Sequence, residues 1–305
     1  MFDGFTIYFL TGAALATLLL SAVAVCLVIY LLLLANRLRN LKTVSGEVLN
    51  SVSKDITDSI NYAKAIQEAT FPDETKLKEY FEDVFVVFKP MEAVSGDFHW
   101  FGAAEGRIYL AVVDCMGHGV PGAFLSMIGN TLLNQAVIEE KTVMPQDVLK
   151  KMNMKLQSIL ANSDNPEIQS ELMNIGLCMV DYDNARIHYS GANHNLYFVQ
   201  DGKFREFEGD GFSLGIPDSD VILGFTGYDI KIEGSLILYL ASEGFSTTVT
   251  PFDGRIASLQ MVNLVLNIAA LPFSEQYEIV MEELKKQDYH QLQTDDFTLI
   301  GLQVR

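Results

Sequence analysis

Basic residues are scarce in this 305-residue chain: 21 Lys and Arg stand against 39 Asp and Glu, a formal charge of −18. That balance excludes a nucleic-acid binder, whose affinity needs a basic face to neutralise phosphates. Cysteine is scarcer still, and Cys26, Cys115 and Cys178 show no motif spacing. An odd, scattered set excludes a disulfide framework and reads as reduced, buried thiols in a cytoplasmic compartment. Internal repeats and low-complexity tracts are absent as well. The length then leaves room for one large domain and an appendage.

Charge is missing altogether from residues 5–35. That run exceeds the ~20 residues needed to span a bilayer. A secretory signal would start basic and have a shorter apolar core. Here the start is acidic, at Asp3, and the run ends in four leucines, Leu31 to Leu34, against charge. Residues 5–35 therefore read as one transmembrane helix, with 1–4 as a short extracytoplasmic N-terminus. Arg37, Arg39 and Lys42 follow immediately and orient the C-terminal side to the cytoplasm, at a cell inner membrane. So short an N-terminus leaves no room for an external sensor. Input is expected from membrane-protein partners of the helix, from oligomerisation or from the cytoplasmic side.

Residues 36–71 read as a helix leaving the membrane. Leu41, Val44, Val48, Val52, Ile56, Ile60, Ala63 and Ile66 recur every three or four positions and lay down one apolar stripe, which Pro72 ends. No strict heptad holds. Two readings stand: a coiled coil that makes a homodimer through 36–71, or packing of its later half on the domain at 72–305.

From Phe85 the pattern changes to short apolar runs joined by turns. Strands are expected at 85–88, 98–101 and 108–113, the last two forming a hairpin through Glu105-Gly106. Helices follow at about 121–139 and 145–160. Further strands are expected at 175–182, 187–190, 196–199 and 204–207, the last pair joined at Asp201-Gly202. Another pair is expected at 228–232 and 236–240, then helices at about 256–270 and 274–286 and a closing strand at 297–304. Hairpin-linked strands with helices grouped between them define an α+β domain on antiparallel sheets.

The chemistry sits in acidic residues at strand ends. Asp97 follows a Ser-Gly turn, Asp114 ends an apolar strand ahead of Gly117-His118-Gly119, Glu243 ends another, and Asp295-Asp296 opens the last. Carboxylates placed this way can converge at one sheet edge and hold hard divalent cations. Two such ions can bridge a water, lower its pKa and present hydroxide to a phosphate ester. Any one of these acids alone is an ordinary turn residue.

Four segments occur in order: Ser95-Gly96-Asp97-Phe98, Asp114 through Ala123 (DCMGHGVPGA), Ser190-Gly191-Ala192-Asn193, and Asp295-Asp296-Phe297-Thr298. Together they closely resemble the bacterial SpoIIE-like branch of the PPM (type 2C) metal-dependent serine/threonine phosphatases. The lead-in helix Asp58 to Gln67 is similar to that of membrane-tethered members, so the resemblance runs from about Asp58 to Arg305. It implies a PPM-type α/β/β/α sandwich of two antiparallel sheets flanked by helices, with a binuclear Mg2+ or Mn2+ centre. It assigns catalytic positions to Asp97, Asp114 and Asp295. Metal ligation falls to Asp97, Asp114, the Cys115 carbonyl, Glu243 and Asp295, with Asp296 beside them as a non-ligand. Gly117, His118 and Gly119 fall in a substrate-binding or structural segment, a local structural role being preferred for His118. Attack by metal-bound hydroxide, on a phosphoserine or phosphothreonine protein such as a STAS-type anti-sigma antagonist, is the implied reaction.

The chain departs from the family pattern in three places. Ser242-Glu243-Gly244 stands where Ser-Asp-Gly is usual, and the extra methylene displaces the oxygen by about 1.5 Å. Glu171-Leu172-Met173-Asn174 stands where close relatives carry an Asp-Gly-Met-Asp-like strand start. The segment after Gly244 lacks the acidic, glycine-rich character expected. The alternative to an active enzyme is a catalytically weak or inactive phosphatase-fold module that signals or scaffolds at the membrane.

Overall fold

The computed structural model describes residues 3–216, 224–243, 254–289 and 295–304, with side chains for all of these except 3–16, 40–49, 254–258 and 286–289. Gly244 and the segment after it lie outside the described residues. The chain divides into two compact units, Met1–Ser59 and Ile60–Arg305.

The first unit is helix α1 (Asp3–Thr70), whose last turns belong to the second. Over Thr17–Arg39 its mean hydropathy is 3.0 and its side chains are exposed, Cys26 among them. Among the described residues this is one helix long and apolar enough to cross a membrane. Val52 and Ile56, further along the stripe, are exposed as well.

The second unit is a sandwich. A 3-10 turn (Glu74–Glu79), capped by Asp73, leads into β1 (Asp83–Lys89), β2 (Phe98–Ala104) and β3 (Arg107–Cys115). Helix α2 (Gly119–Leu133), extended by one π-helical turn (Asn134–Glu139), and α3 (Pro145–Leu160) follow. After the short α4 (Pro166–Gln169) come β4 (Met173–Asp181), β5 (Arg186–Ala192), β6 (Leu196–Gln200), β7 (Lys203–Phe207), β8 (Tyr228–Lys231) and β9 (Leu236–Ala241). Then α5 (Gly254–Ile268), α6 (Phe273–Tyr289) and β10 (Phe297–Val304) end the described chain. One sheet has the order β1-β10-β9-β6-β7 and the other β2-β3-β4-β5-β8, every named pair antiparallel.

Strand periodicity explains the layers. In β3, Tyr109, Ala111 and Val113 pack under α2 and α3, while Ile108, Leu110 and Val112 face the other sheet. In β10, Ile300, Leu302 and Val304 face the inter-sheet core, and Phe297 and Leu299 meet α5 and α6. A strand buried on both faces has no polar alternation, which is why these segments read as continuous apolar runs. The result is the α/β/β/α sandwich expected from the sequence, with three apolar layers in place of one core. Burying each Leu or Phe side chain in these layers is worth about 1.5–3 kcal/mol.

Two expectations are corrected. Strands 228–232 and 236–240 do not pair: β8 joins β5 in one sheet, and β9 lies between β10 and β6 in the other. The link between them crosses layers, pinned by Gln200 Nε2 on the Lys231 and Glu233 carbonyls (3.0 and 3.1 Å) and by Asp201 N on the Ser235 carbonyl (3.0 Å). The helix expected at 121–139 begins at Gly119 and ends in the π turn. The Glu105-Gly106 and Asp201-Gly202 hairpins form as expected, with all four residues at positive φ.

Candidate metal centre

Asp97, Asp114, Glu243 and Asp295 come from four segments far apart in sequence, and the two sheets bring them together at one end. Asp114 lies near the end of β3, opposite Asn174 of β4. The Glu243 main-chain nitrogen follows β9 and lies 3.5 Å from Asp114 Oδ2. Asp97 precedes β2; its amide donates to Ser95 Oγ (3.1 Å), and the neighbouring Ser242 hydroxyl favours the charged form of its carboxyl. Ser242 is itself held by Thr298 of β10, donating through its N–H to the Thr298 carbonyl and accepting the Thr298 N–H at its hydroxyl, both at 2.9 Å.

Asp295 and Asp296 divide their work. Asp296 is buried, and its carboxylate accepts from Met91 N (2.6 Å) and Gly96 N (2.7 Å). It is a clamp on the loop that carries Asp97. Asp295 accepts the Asp296 amide at Oδ1 (2.9 Å) and stands in the field of Asp114. The loop also packs backbone on backbone. A Cβ at Gly96 would lie 2.7 Å from the Gly117 carbonyl oxygen and 2.9 Å from that of Cys115, and one at Gly122 would meet the Gly117 oxygen at 2.1 Å. Close approach of this kind tolerates glycine alone.

Electrostatics is dominated by buried carboxyl groups that raise one another. Burial raises the Asp97 carboxyl well above its ordinary value, reinforced by Asp114, Asp296 and Asp295. Asp114 is pushed up to about 7 by burial, then by Asp295 and Glu243. Glu243 and Asp295 are raised too, first by burial; His118 eases Asp295. The Cys115 thiol is buried and pushed up, so it stays protonated and leaves the carbonyl as its oxygen donor.

Gly117 and Gly119 flank His118 at positive φ, 89° and 65°. His118 is the N-cap residue of α2, exposed, with Nδ1 2.5 Å from Glu92 Oε1. Sequence reasoning missed Glu92. Asn174, at the drifted strand start, spends its amide oxygen on Ser213 Oγ (2.6 Å) and Asn193 Nδ2 (3.3 Å), which ties the Ser190–Asn193 segment to β4.

The residues fit hard divalent cations. Asp97 Oδ2 is buried without a hydrogen-bond partner, and carboxylates with one main-chain carbonyl are the donor set such ions take. Among the described residues no group of three or more His, Cys, Asp or Glu side chains lies close enough together to hold a metal ion by itself. Mg2+ commonly keeps several waters and takes one or two carboxylates, so an open arrangement is the form expected.

Fold and site together define a phosphatase of the PP2C type. Residues 104–305 match the family described as Stage II sporulation protein E (SpoIIE), and the chain belongs to that family. It is 24% identical over 260 residues to the phosphoserine phosphatase RsbU of Bacillus subtilis (strain 168), across 84% of this chain and 73% of RsbU. The SiaA-PP2C domain of Pseudomonas aeruginosa superposes with a TM-score of 0.70 at 25% identity, covering 83% of this chain and 99% of that domain. The catalytic domain of the serine threonine protein phosphatase PstP, solved with two manganese ions, shares the fold with a TM-score of 0.52 at 13% identity, covering 73% of this chain and 98% of that domain.

Proposed function

We propose that the chain is a membrane-anchored protein serine/threonine phosphatase. In this reading Asp97, Asp114, the Cys115 carbonyl, Glu243 and Asp295 hold two Mn2+ or Mg2+ ions. The observation that carries it is that Asp97, Asp114, Glu243 and Asp295 all have raised carboxyl groups, Asp97 and Asp114 raised by burial and by neighbouring carboxylates, with Asp97 Oδ2 buried and without a hydrogen-bond partner. When bound, such ions offset the phosphoryl charge and activate water. Asp97 and Asp114 orient the ions, the Ser95 hydroxyl accepts the Asp97 amide, and Glu92 fixes His118 at the exposed mouth beside Asp295.

The substrate is a phosphoserine or phosphothreonine protein of a partner-switching system, of the STAS type. Kinship with RsbU, a phosphoserine phosphatase, supports this. The apolar helix spans the inner membrane, Arg37 and Arg39 set residues 72–305 in the cytoplasm, and residues 36–71 pair two chains. The exposed stripe residues Val52 and Ile56 support that pairing.

Phosphate release from a phosphorylated STAS-domain protein, by the detergent-solubilised chain with Mn2+, tests the proposal. A second reading, a module that binds its partner with little turnover, is favoured by Glu243 standing in place of an aspartate. Tight Mn2+ binding without phosphate release would favour that second reading.

A further inference from the structure

Helix α1 reaches into the metal loop through one side chain. Gln67 is almost fully buried in its last turn. Its Nε2 donates to the Ser95 carbonyl (2.7 Å) and to Ser126 Oγ (3.0 Å), while its Oε1 accepts the Ser95 amide (3.1 Å). The carboxamide thus takes both main-chain groups of Ser95, much as a neighbouring strand would. Ser126, in α2, also donates to Ala123 O (2.8 Å) and lies 3.3 Å from Ser95 O.

From Ser95 the path to the acid is two residues long, because Ser95 Oγ accepts the Asp97 amide (3.1 Å). Asp296 holds the same loop from the β10 side at Gly96 (2.7 Å). Gly96 lies against the Cys115 and Gly117 carbonyls, so a shift of this loop would move Asp97 and the Cys115 oxygen together. Every polar atom of Gln67 is engaged. Anchoring a helix end by packing alone would need only an apolar residue, whereas a buried carboxamide carries a desolvation cost unless each group is met.

We infer that Gln67 is a positioning residue for the metal centre: it fixes the Ser95–Asp97 loop and makes the end of α1 part of the catalytic unit. The inference rests on the reading that Asp97 and the Cys115 carbonyl hold metal. Partners that orient ligands typically change metal affinity 10–100-fold when removed.

The test uses the full chain in detergent, comparing wild type with Gln67→Glu, which sets an oxygen against Ser95 O, and with Gln67→Met. Two quantities are measured: amide hydrogen exchange at Gly96 and Asp97 without metal, and Mn2+ affinity by calorimetry. Leu284→Ala, in the α6 layer, serves as a control that destabilises the fold away from this loop. The expected result is faster exchange at both amides and Mn2+ affinity weakened about tenfold or more in the Gln67 variants, with the affinity of Leu284→Ala unchanged. Should the Gln67 variants not fold, Ser126→Ala is expected to show the same changes in smaller measure. Wild-type exchange and affinity in folded variants, or equal weakening in Leu284→Ala, would overturn the inference. A wild-type chain that binds no Mn2+ would instead overturn the metal reading beneath it.

Discussion

Asp296 accepts the amide of Gly96, 200 residues earlier in the chain, at 2.7 Å, and its other oxygen accepts Met91 N at 2.6 Å. Its neighbour Asp295 lies in the field of Asp114 instead. Two adjacent aspartates thus do different jobs, one holding loop backbone and the other facing the carboxylate cluster.

This division gives the first prediction. Asp296→Asn replaces an acceptor with a donor facing an N–H and is expected to destabilise the fold by about 1–3 kcal/mol. Asp295→Asn is expected to leave stability near wild type while weakening Mn2+ binding. Urea unfolding and calorimetry on the two variants check it; the reverse pattern would show that the roles are exchanged.

Gly96→Ala would put a Cβ within 3 Å of two carbonyl oxygens, at Gly117 and Cys115. Relief requires the two loops to part, with an overpacking cost of about 1–3 kcal/mol. Activity is expected to fall further than stability alone explains, since the displaced atoms include the Cys115 oxygen. Activity assayed well below the melting temperature separates the two effects.

The raised carboxyl groups set a pH dependence. Asp114 moves from 3.8 to about 7 in the folded, metal-free chain. Between those values the native state binds more protons than the unfolded one, so stability is greatest at low pH and declines as pH rises through that window. Metal-free protein in a chelator is therefore expected to melt at a lower temperature at pH 8 than at pH 5.5, and Mn2+ is expected to restore the difference at pH 8. Binding at pH 6 is expected to release protons, measurable by calorimetry in buffers of different ionisation enthalpy. Binding without proton release at pH 6 would contradict the raised Asp114 value.

Glu243 tests the departure from the family pattern. Its main-chain nitrogen already lies 3.5 Å from Asp114 Oδ2, so a shorter side chain at this position keeps its carboxylate near the cluster. A misplacement of about 1 Å costs on the order of a hundredfold in rate. Glu243→Asp is expected to raise kcat by about tenfold or more, within that bound, and Glu243→Gln to lower it. An unchanged kcat in Glu243→Asp would show that the longer arm is already accommodated.

Local pattern was legible where chemistry and periodicity agree. The apolar run ending at Asp114 announced a buried strand with an acid at its tip, and the Glu105-Gly106 turn announced its hairpin. What stayed hidden was spatial. The turn at 233–235 carries the signals of a hairpin but steps between sheets, and nothing local distinguishes the two. Asp296 as a loop clamp was invisible because Gly96 lies so far off in sequence. Gln67 had a faint signal: it lies seven residues after Ile60 and three after Lys64, on the face of α1 that is covered in its last turns, whereas Ala63 and Ile66 of the apolar stripe are exposed. Glu92 carried no signal beyond standing three residues ahead of the Ser95-Gly96-Asp97 motif.

The central claim is that Asp114 anchors metal-dependent phosphate-ester hydrolysis, and phosphate release with Mn2+ by wild type and Asp114→Asn tests it most directly. The account predicts release by wild type that a chelator abolishes, and a fall of at least about a hundredfold in the variant, the scale on which loss of a preorganised charge at a reacting centre acts. Undiminished release by folded Asp114→Asn, or release by wild type indifferent to the chelator, would contradict it.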